Sequence, residues 1–413
     1  MIISRAVILS AWSFFVLLYP AACSGQPQAS QPSLMAAPIQ TPQHAPTLEP
    51  NSSENLFSLR KPNGVLTADD QASSWIWRDA SGIQVVKHEI QPGLAAEPDS
   101  IHIAGQVSGS DRFPAVITRI WLPQQAIISL SDGQTATIRA TESFVALAGK
   151  PGQPVVAFTE ISYENDIGQS RLYAAHISDL GRAAPVMVTD MDMPGFAPVP
   201  LAVESADRAT TTVWYTLSAW DTRGEDMVFP LSLGLFTLDP ASGLPEQLLD
   251  LDRNLQGLSP DHSLAASVSV GYDNEKSLQV HQLPSGQTVQ FNLKPESNLG
   301  AGYAVFSPQS QYVAWLEAGG SVRSDSEIFS AQVRTGNPAS TQVLHEVDLS
   351  AARAAAGFEQ AAWMQPVGWL DENQLLIQVY DLAQLQSALV RLNMADGSLS
   401  AFCPGRFLGF TYP

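Results

Sequence analysis

"LQVHQLPSG", Leu278 to Gly286, and "LVRLNMADG", Leu389 to Gly397, share one plan. Each opens on an aliphatic residue, carries Gln or Asn at its fifth position, and closes on Ser or Asp followed by Gly. "LFTLDPASG" (Leu235 to Gly243), with Asp at the fifth position, and "IFSAQVRTG" (Ile328 to Gly336), with Thr before its Gly, vary the plan, and "LYAAHISDLG" (Leu172 to Gly181) is a copy one residue longer. The physics is that of a strand entering a tight hairpin. The hydroxyl or carboxylate bonds the local backbone, and Gly supplies a positive φ without steric cost. Shorter echoes end at Gly82 and Gly133, so the turn glycines fall at 82, 133, 181, 243, 286, 336 and 397, with intervals of 43 to 62 residues.

Each interval has room for four short strands, which is the size of a β-propeller blade. The strand-like runs fit: "VVAFTEIS" (Val155 to Ser162), "TTVWYTLSAW" (Thr211 to Trp220) and "YVAWLEA" (Tyr312 to Ala318) are rich in β-branched and aromatic residues. One helix is expected in "LSAARAAAGFEQAAW", Leu349 to Trp363, with Ser350 as its cap. A second repeat sits elsewhere in the unit. "LSPDHSLAASVSV" from Leu258 and "FSPQSQYVAWLEA" from Phe306 place Ser259 and Ser307 in register 48 residues apart, with "WLDENQLLIQVYD" from Trp369 as a looser copy. These stretches resemble the "FSPDG-x-x-L-A" turn of TolB-type, WD-repeat-like propellers, a type that also accompanies the catalytic domain of prolyl-oligopeptidase-like enzymes. His262 and Gln309 break the Asp-Gly pair of that turn. The expected fold is all-β, a seven-bladed β-propeller with six or eight blades as alternatives. The apolar tail "RFLGFTYP" from Arg406 is expected to close the ring by adding a strand to the first blade, which has little room for its own early strands before Ser74.

The propeller is expected to span residues 55–413, preceded by two other regions. Residues 1–22 read as a targeting segment: Arg5 is followed by a charge-free apolar run from Ala6 to Tyr19 and then by Pro20-Ala21-Ala22-Cys23. This resembles a bacterial lipoprotein signal, which implies lipidation at Cys23, an ordinary cleaved secretory signal being the alternative. Residues 23–54 form a tether; Ser24 to Pro50 holds six Pro and five Gln in 27 residues, with Glu49 as its sole charge. Such a segment buries too little apolar surface to offset chain entropy, and is expected to stay disordered. As a flexible chain it spans roughly 30 Å. The expected location is extracytoplasmic, lipid-anchored to a bacterial membrane. With Cys23 lipidated, Cys403 has no partner, so stability must come from packing rather than disulfides.

Lys and Arg total 21 against 40 Asp and Glu, for a formal charge of −19. That field repels nucleic acid and favours cations or basic partners. There is no G-x-S-x-G elbow, P-loop, G-x-G-x-x-G or H-E-x-x-H, and the seven histidines are scattered. His281 reads as a hydrogen-bonded structural residue; Trp75, Trp121, Trp220 and Trp369 read as blade core. No catalytic residue and no cofactor is assigned; Ca²⁺ suits acidic loops, but no loop has calcium-motif spacing. One pattern points to binding. Acids recur between the second and third strands of successive units: Glu164 and Asp166, then Asp221, Glu225 and Asp226, then Asp273 and Glu275, then Asp325 and Glu327, then Asp381. In a propeller such loops leave one face and form a negative rim, although acids are common on solvated loop tips. The leading expectation is a protein- or ligand-binding module of the cell envelope, its partner an envelope or exported protein or a small ligand. The alternative is a carbohydrate- or peptide-active enzyme with a site on the propeller axis, and a purely structural role in an envelope complex is the third.

Overall fold

The computed structural model describes residues 61–70, 74–89, 101–103, 115–120, 125–130, 135–138, 145–150, 153–164, 167–176, 186–191, 196–205, 211–219, 228–239, 245–270, 277–320, 330–361, 363–381 and 385–411. The expected targeting segment, Cys23 and the tether lie outside the described residues.

The chain is built almost wholly of antiparallel strands. β1 (Gly64–Ala68), β2 (Ser74–Asp79) and β3 (Gln84–Glu89) belong to one sheet, and β4 (Ile101–Ile103), β5 (Ala115–Ile120), β6 (Gln125–Leu130) and β7 (Thr135–Ile138) to the next. β8 (Val145–Lys150), β9 (Gln153–Glu164), β10 (Ile167–His176) and β11 (Val186–Met191) form a third. A seven-stranded sheet follows: β12 (Phe196–Ser205), β13 (Thr211–Ala219), β14 (Ser232–Leu238), β15 (Pro245–Leu258), β16 (Leu264–Ser269), β17 (Ser277–Gln282) and β18 (Thr288–Asn292). β19 (Gly300–Phe306), β20 (Val313–Gly319), β21 (Ser330–Asn337) and β22 (Gln342–Asp348) form a sheet, as do β23 (Trp363–Asp371), β24 (Gln374–Asp381), β25 (Gln386–Asn393) and β26 (Leu399–Pro404).

β15 explains the seven-stranded sheet. Its N-terminal part pairs with β14, with Leu238 opposite Pro245, and its C-terminal part pairs with β16, with Leu258 opposite Ala265. It is at once the last strand of one four-strand group and the first of the next. The C-terminal strand β27 (Arg406–Thr411) returns to β1, with Gly64 opposite Thr411, and becomes the first strand of the first sheet. The expected pairing of the tail with the start of the body is therefore present.

β1, β20 and β24, the second strands of their groups, are buried on both faces, which is why they read as nearly continuous apolar runs. Ala314, Leu316 and Ala318 of β20 share a cluster with Leu375, Ile377 and Val379 of β24. The opposite face of β20, Val313 and Trp315, packs with Ala266, Leu278 and Val280 of the preceding group. Val65 of β1 packs with Leu376 and Leu389 of the last sheet. First strands also meet closely. A Cβ on Gly257 of β15 would lie 2.1 Å from the carbonyl oxygen of Ala304 on β19, so only glycine fits.

The turns between first and second strands are chained from one group to the next. Glu204 of β12 accepts from His262; Asp261 accepts from Ser310 (3.1 Å); Glu372 accepts from the Gln309 amide; Asp371 pairs with Lys61 (3.0 Å). The two Ser-Pro turns match closely. Ser259 and Ser307 donate their amides to Leu264 and Tyr312 (2.8 and 2.9 Å) and accept back through their hydroxyls (2.8 and 3.0 Å). His262 (φ 56°) and Ser310 (φ 57°) take the left-handed position that Gly holds in the family turn.

Two expectations need correction. Gly336 is not a turn residue: it lies within β21, opposite Val313 and Val343. The turn comes five residues later, ending at Thr341 (φ 58°), whose amide donates to Asn337 O (3.0 Å). Gly286 (φ 73°) and Gly397 (φ 71°) make the same bond, to Gln282 O (2.9 Å) and Asn393 O (2.8 Å). The helix α1 spans only Leu349–Ala356, and its cap is not Ser350 but Asp348, whose carboxylate accepts from the Ala351 amide (2.7 Å). Gly357 ends it in the left-handed conformation (φ 76°), and Trp363 begins β23.

Candidate functional site

Asp221, Glu225 and Asp226 lie between β13 and β14, Asp273 and Glu275 between β16 and β17, and Asp325 and Glu327 between β20 and β21; all of these, with Asp166, lie outside the described residues. Glu164 is the last residue of β9, paired with Ile167 across the hairpin. Asp381 ends β24 and is 1% exposed, so it is a buried strand residue rather than a loop-tip acid. Its neighbour across the connection, Leu385, is 76% exposed.

Strand order gives every one of these acids the same step, from the second to the third strand of a four-strand group. Two such connections are seen to meet. Asp70, between β1 and β2, accepts from the amide (3.0 Å) and hydroxyl (2.7 Å) of Ser387, which follows the β24–β25 connection. Asp69 beside it accepts from Ser74 (2.7 Å). Sequence reasoning passed over both of these acids, which carry no turn motif.

The same end of the molecule holds an aromatic cluster on first strands. Phe229 closes the β13–β14 connection and packs on β19: a Cβ on Gly302 would lie 2.2 Å from its ring and 2.5 Å from Gln256 Oε1. Tyr303 follows in a left-handed conformation (φ 52°) at a bulge in β19, and its amide donates to Gln256 Oε1 (3.3 Å). Its ring stands 5.7 Å from Phe229 and 6.1 Å from Trp363 of β23, the latter at 74°. Trp363 Nε1 donates to Gln365 Oε1 (3.3 Å). Tyr303, Trp363 and Gln365 are all half-buried. Burial pushes the Tyr303 phenol up from its ordinary value. The only trace of this cluster in the sequence is the "GAGY" at Gly300 to Tyr303, where small residues sit beside an aromatic ring.

Two polar clusters have the residue types of catalysis without its access. His281 Nε2 lies 2.8 Å from Ser267 Oγ and its Nδ1 3.0 Å from Thr288 Oγ1. Ser267 is fully buried and a hydroxyl stands where a triad has a carboxylate. Burial, reinforced by the Arg253 charge, pushes the imidazole down to about 4. Glu317 is also buried. Its two oxygens take hydrogen bonds from Trp315 Nε1 (3.0 Å), Arg334, the Lys294 amide (3.1 Å) and Ser297 Oγ (2.8 Å). With both oxygens engaged, it fastens the β18–β19 connection rather than moving a proton. Among the described residues no group of three His, Cys, Asp or Glu side chains is placed to hold a metal ion.

The sequence matches no protein-family model and no curated sequence. Solved structures do match. An oligogalacturonate lyase of Vibrio parahaemolyticus is 11% identical, over 83% of this chain and 85% of that one, with a TM-score of 0.44. A TolB-like protein of Agrobacterium tumefaciens is 10% identical, over 70% and 90%, with a TM-score of 0.37. Prolyl endopeptidases reach a TM-score of 0.50 at 6% identity, over 84% of this chain but only 50% of theirs. The fold neighbours are β-propeller proteins. At these identities the likeness is one of fold alone, and the neighbours include both binding and catalytic proteins.

Proposed function

We propose that this chain is a lipid-anchored, extracytoplasmic β-propeller of seven blades that binds a basic envelope or exported protein through its acid-bearing face. Divided at β15, the seven-stranded sheet yields two four-strand blades, which join the five four-stranded sheets. The observation that carries the binding role is the Asp70–Ser387 contact. It joins two second-to-third connections on one face, the step at which the candidate acids recur. A formal charge of −19 supplies the complementary field, and electrostatic attraction of this kind speeds encounter and falls with salt.

The test replaces Asp221, Glu225 and Asp226 with Asn, Gln and Asn. Affinity capture from native envelopes with the altered chain is expected to recover less of the partner, with a shallower salt dependence. Recovery of the same partners with unchanged salt dependence refutes the rim.

The enzyme reading has one observation in its favour, the strained and half-buried Tyr303 on a first strand, since backbone strain gathers at active sites. Oligogalacturonate and a prolyl peptide are the substrates to offer, following the fold neighbours. Turnover of any of them that is lost in Tyr303→Phe supports catalysis.

A further inference from the structure

We infer that the hydroxyl- and amide-lined face around Arg253 is a binding site for the carboxylate of a small acidic ligand; the assignment stands apart from the acidic rim and does not rest on it. Arg253 of β15 lies opposite Ser269 of β16, and Ser267 of β16 lies opposite Gln279 of β17. Side chains alternate along a strand, so Ser269, two residues beyond Ser267, and Ser277, two residues before Gln279, share that face with Arg253. Arg253 Nη1 donates to Ser269 Oγ (2.9 Å) and to Gln279 Oε1. Its Nε has the Asp252 carboxylate nearby, at 3.6 Å, on a side chain that is itself 67% exposed. Nη2 makes no bond to a described residue. With Oε1 committed to the guanidinium, the Gln279 amide nitrogen also keeps its hydrogens unused among the described residues.

Ser277 gives a second, independent indication. It is 2% exposed, and its hydroxyl has no hydrogen-bond partner. A buried hydroxyl left unpaired is costly and uncommon in folded proteins. The rest of this face is satisfied internally: Ser267 Oγ meets His281 Nε2 (2.8 Å), and His281 Nδ1 meets Thr288 Oγ1 (3.0 Å). The unused donors therefore gather at one end. There Ser269 is exposed and 28% of the Arg253 side chain is open to solvent, with Ser277 behind them. These groups are donors, and the formal charge among them is positive, so the partner they lack is an anionic acceptor. Arg334, by contrast, is already neutralised by Glu317 and by Glu346 (3.2 Å). Asp252 beside the guanidinium, and a formal charge of −19 on the chain, disfavour a dianion such as phosphate. A single carboxylate is the group that fits.

Saturation-transfer NMR on the full chain tests this. The probes are acetate, acetamide as its neutral isostere, N-acetyl-aspartate amide as a peptide carboxylate, and inorganic phosphate as the dianion. Acetate is expected to bind saturably, phosphate more weakly and acetamide not at all. Arg253→Lys keeps the charge, loses the guanidinium fork, and is expected to weaken acetate binding about 10-fold. Ser277→Ala is expected to weaken it about 2- to 10-fold while raising the urea midpoint, because an unpaired buried hydroxyl is removed. A serine with a purely structural bond would lower the midpoint and leave the affinity alone. Asp252→Asn, at an exposed position, is expected to tighten binding about 2- to 5-fold. An equal response to acetamide, or unchanged acetate affinity in Arg253→Lys, overturns the assignment. Should Arg253→Lys fail to fold by near-ultraviolet circular dichroism, Ser277→Ala and Asp252→Asn decide, and no change of affinity in either overturns it. Tighter binding of phosphate than of acetate overturns the monoanion preference. Tighter binding of the aspartate amide than of acetate overturns the small ligand in favour of an acidic peptide.

Discussion

Thr341 shows how a single position can carry a turn without its expected residue. Its φ of 58° is one that Gly adopts freely at 286 and 397, and a β-branched residue adopts it at a cost. Thr341 is exposed, and its amide bond to Asn337 O depends on the backbone alone. Thr341→Asn, which tolerates the left-handed region, is expected to raise stability by about 0.5–1 kcal/mol. The check is a higher urea midpoint at unchanged slope. His281 makes a different prediction. Its imidazole is held neutral, at about 4 against an ordinary 6.5, so between these values the unfolded chain binds more protons than the folded one. Stability therefore rises with pH through this window and is lost as pH falls from about 6.5 to 4, by on the order of 3 kcal/mol. His281→Gln is expected to flatten that part of the stability–pH curve by close to one proton. A curve of unchanged slope would show that burial does not suppress this proton.

At the scale of elements, the hairpins were legible because turn chemistry is local. The Ser-Pro turns at Ser259 and Ser307 form as expected, with bonds that need only the turn's own residues. The copy ending at Gly336 was misplaced because a Thr-Gly pair in the strand imitates the turn signal, while the real turn ends in Thr341. Moving it places the turn 55 residues after Gly286 and 56 before Gly397, so the true repeat is more regular than the glycines suggest. The helix was overextended for a related reason: Gly357, read in the sequence only as weakening the helix, in fact terminates it. β27 carries the element-scale prediction. Leu408 is buried and Phe407 takes its amide bond to Gln378 Oε1 (2.6 Å), so the strand joins the first sheet to the last. Leu408→Ala is expected to cost about 2–3 kcal/mol. Deleting residues 406–413 leaves β1 as an open edge, and self-association by size-exclusion chromatography is expected. A monomeric, cooperatively folding truncated chain would show that closure by β27 is dispensable.

For the whole molecule, anchoring is the property to test. Cys23→Ala is expected to abolish labelling by a radioactive fatty acid and to move the chain from the membrane to the soluble fraction of a bacterial cell. Retention in the membrane at full yield would argue against lipid as the anchor. The sequence by itself determined the strand-rich repeat and its turn chemistry, because hairpins and apolar alternation are written in neighbouring residues, and it pointed to the return of the tail to β1 because the first unit has little room for its own early strands. It determined also the recurrence of acids at one step of the repeat. Only the tertiary structure decided which distant residues stand together. Asp70 meets Ser387, Glu204 meets His262, and Tyr303 meets both Phe229 and Trp363. Asp381, an acid in a loop-like context, is buried in a strand end. These pairings depend on how successive sheets face each other, and no local pattern encodes contacts made across sheets by residues tens to hundreds of positions apart.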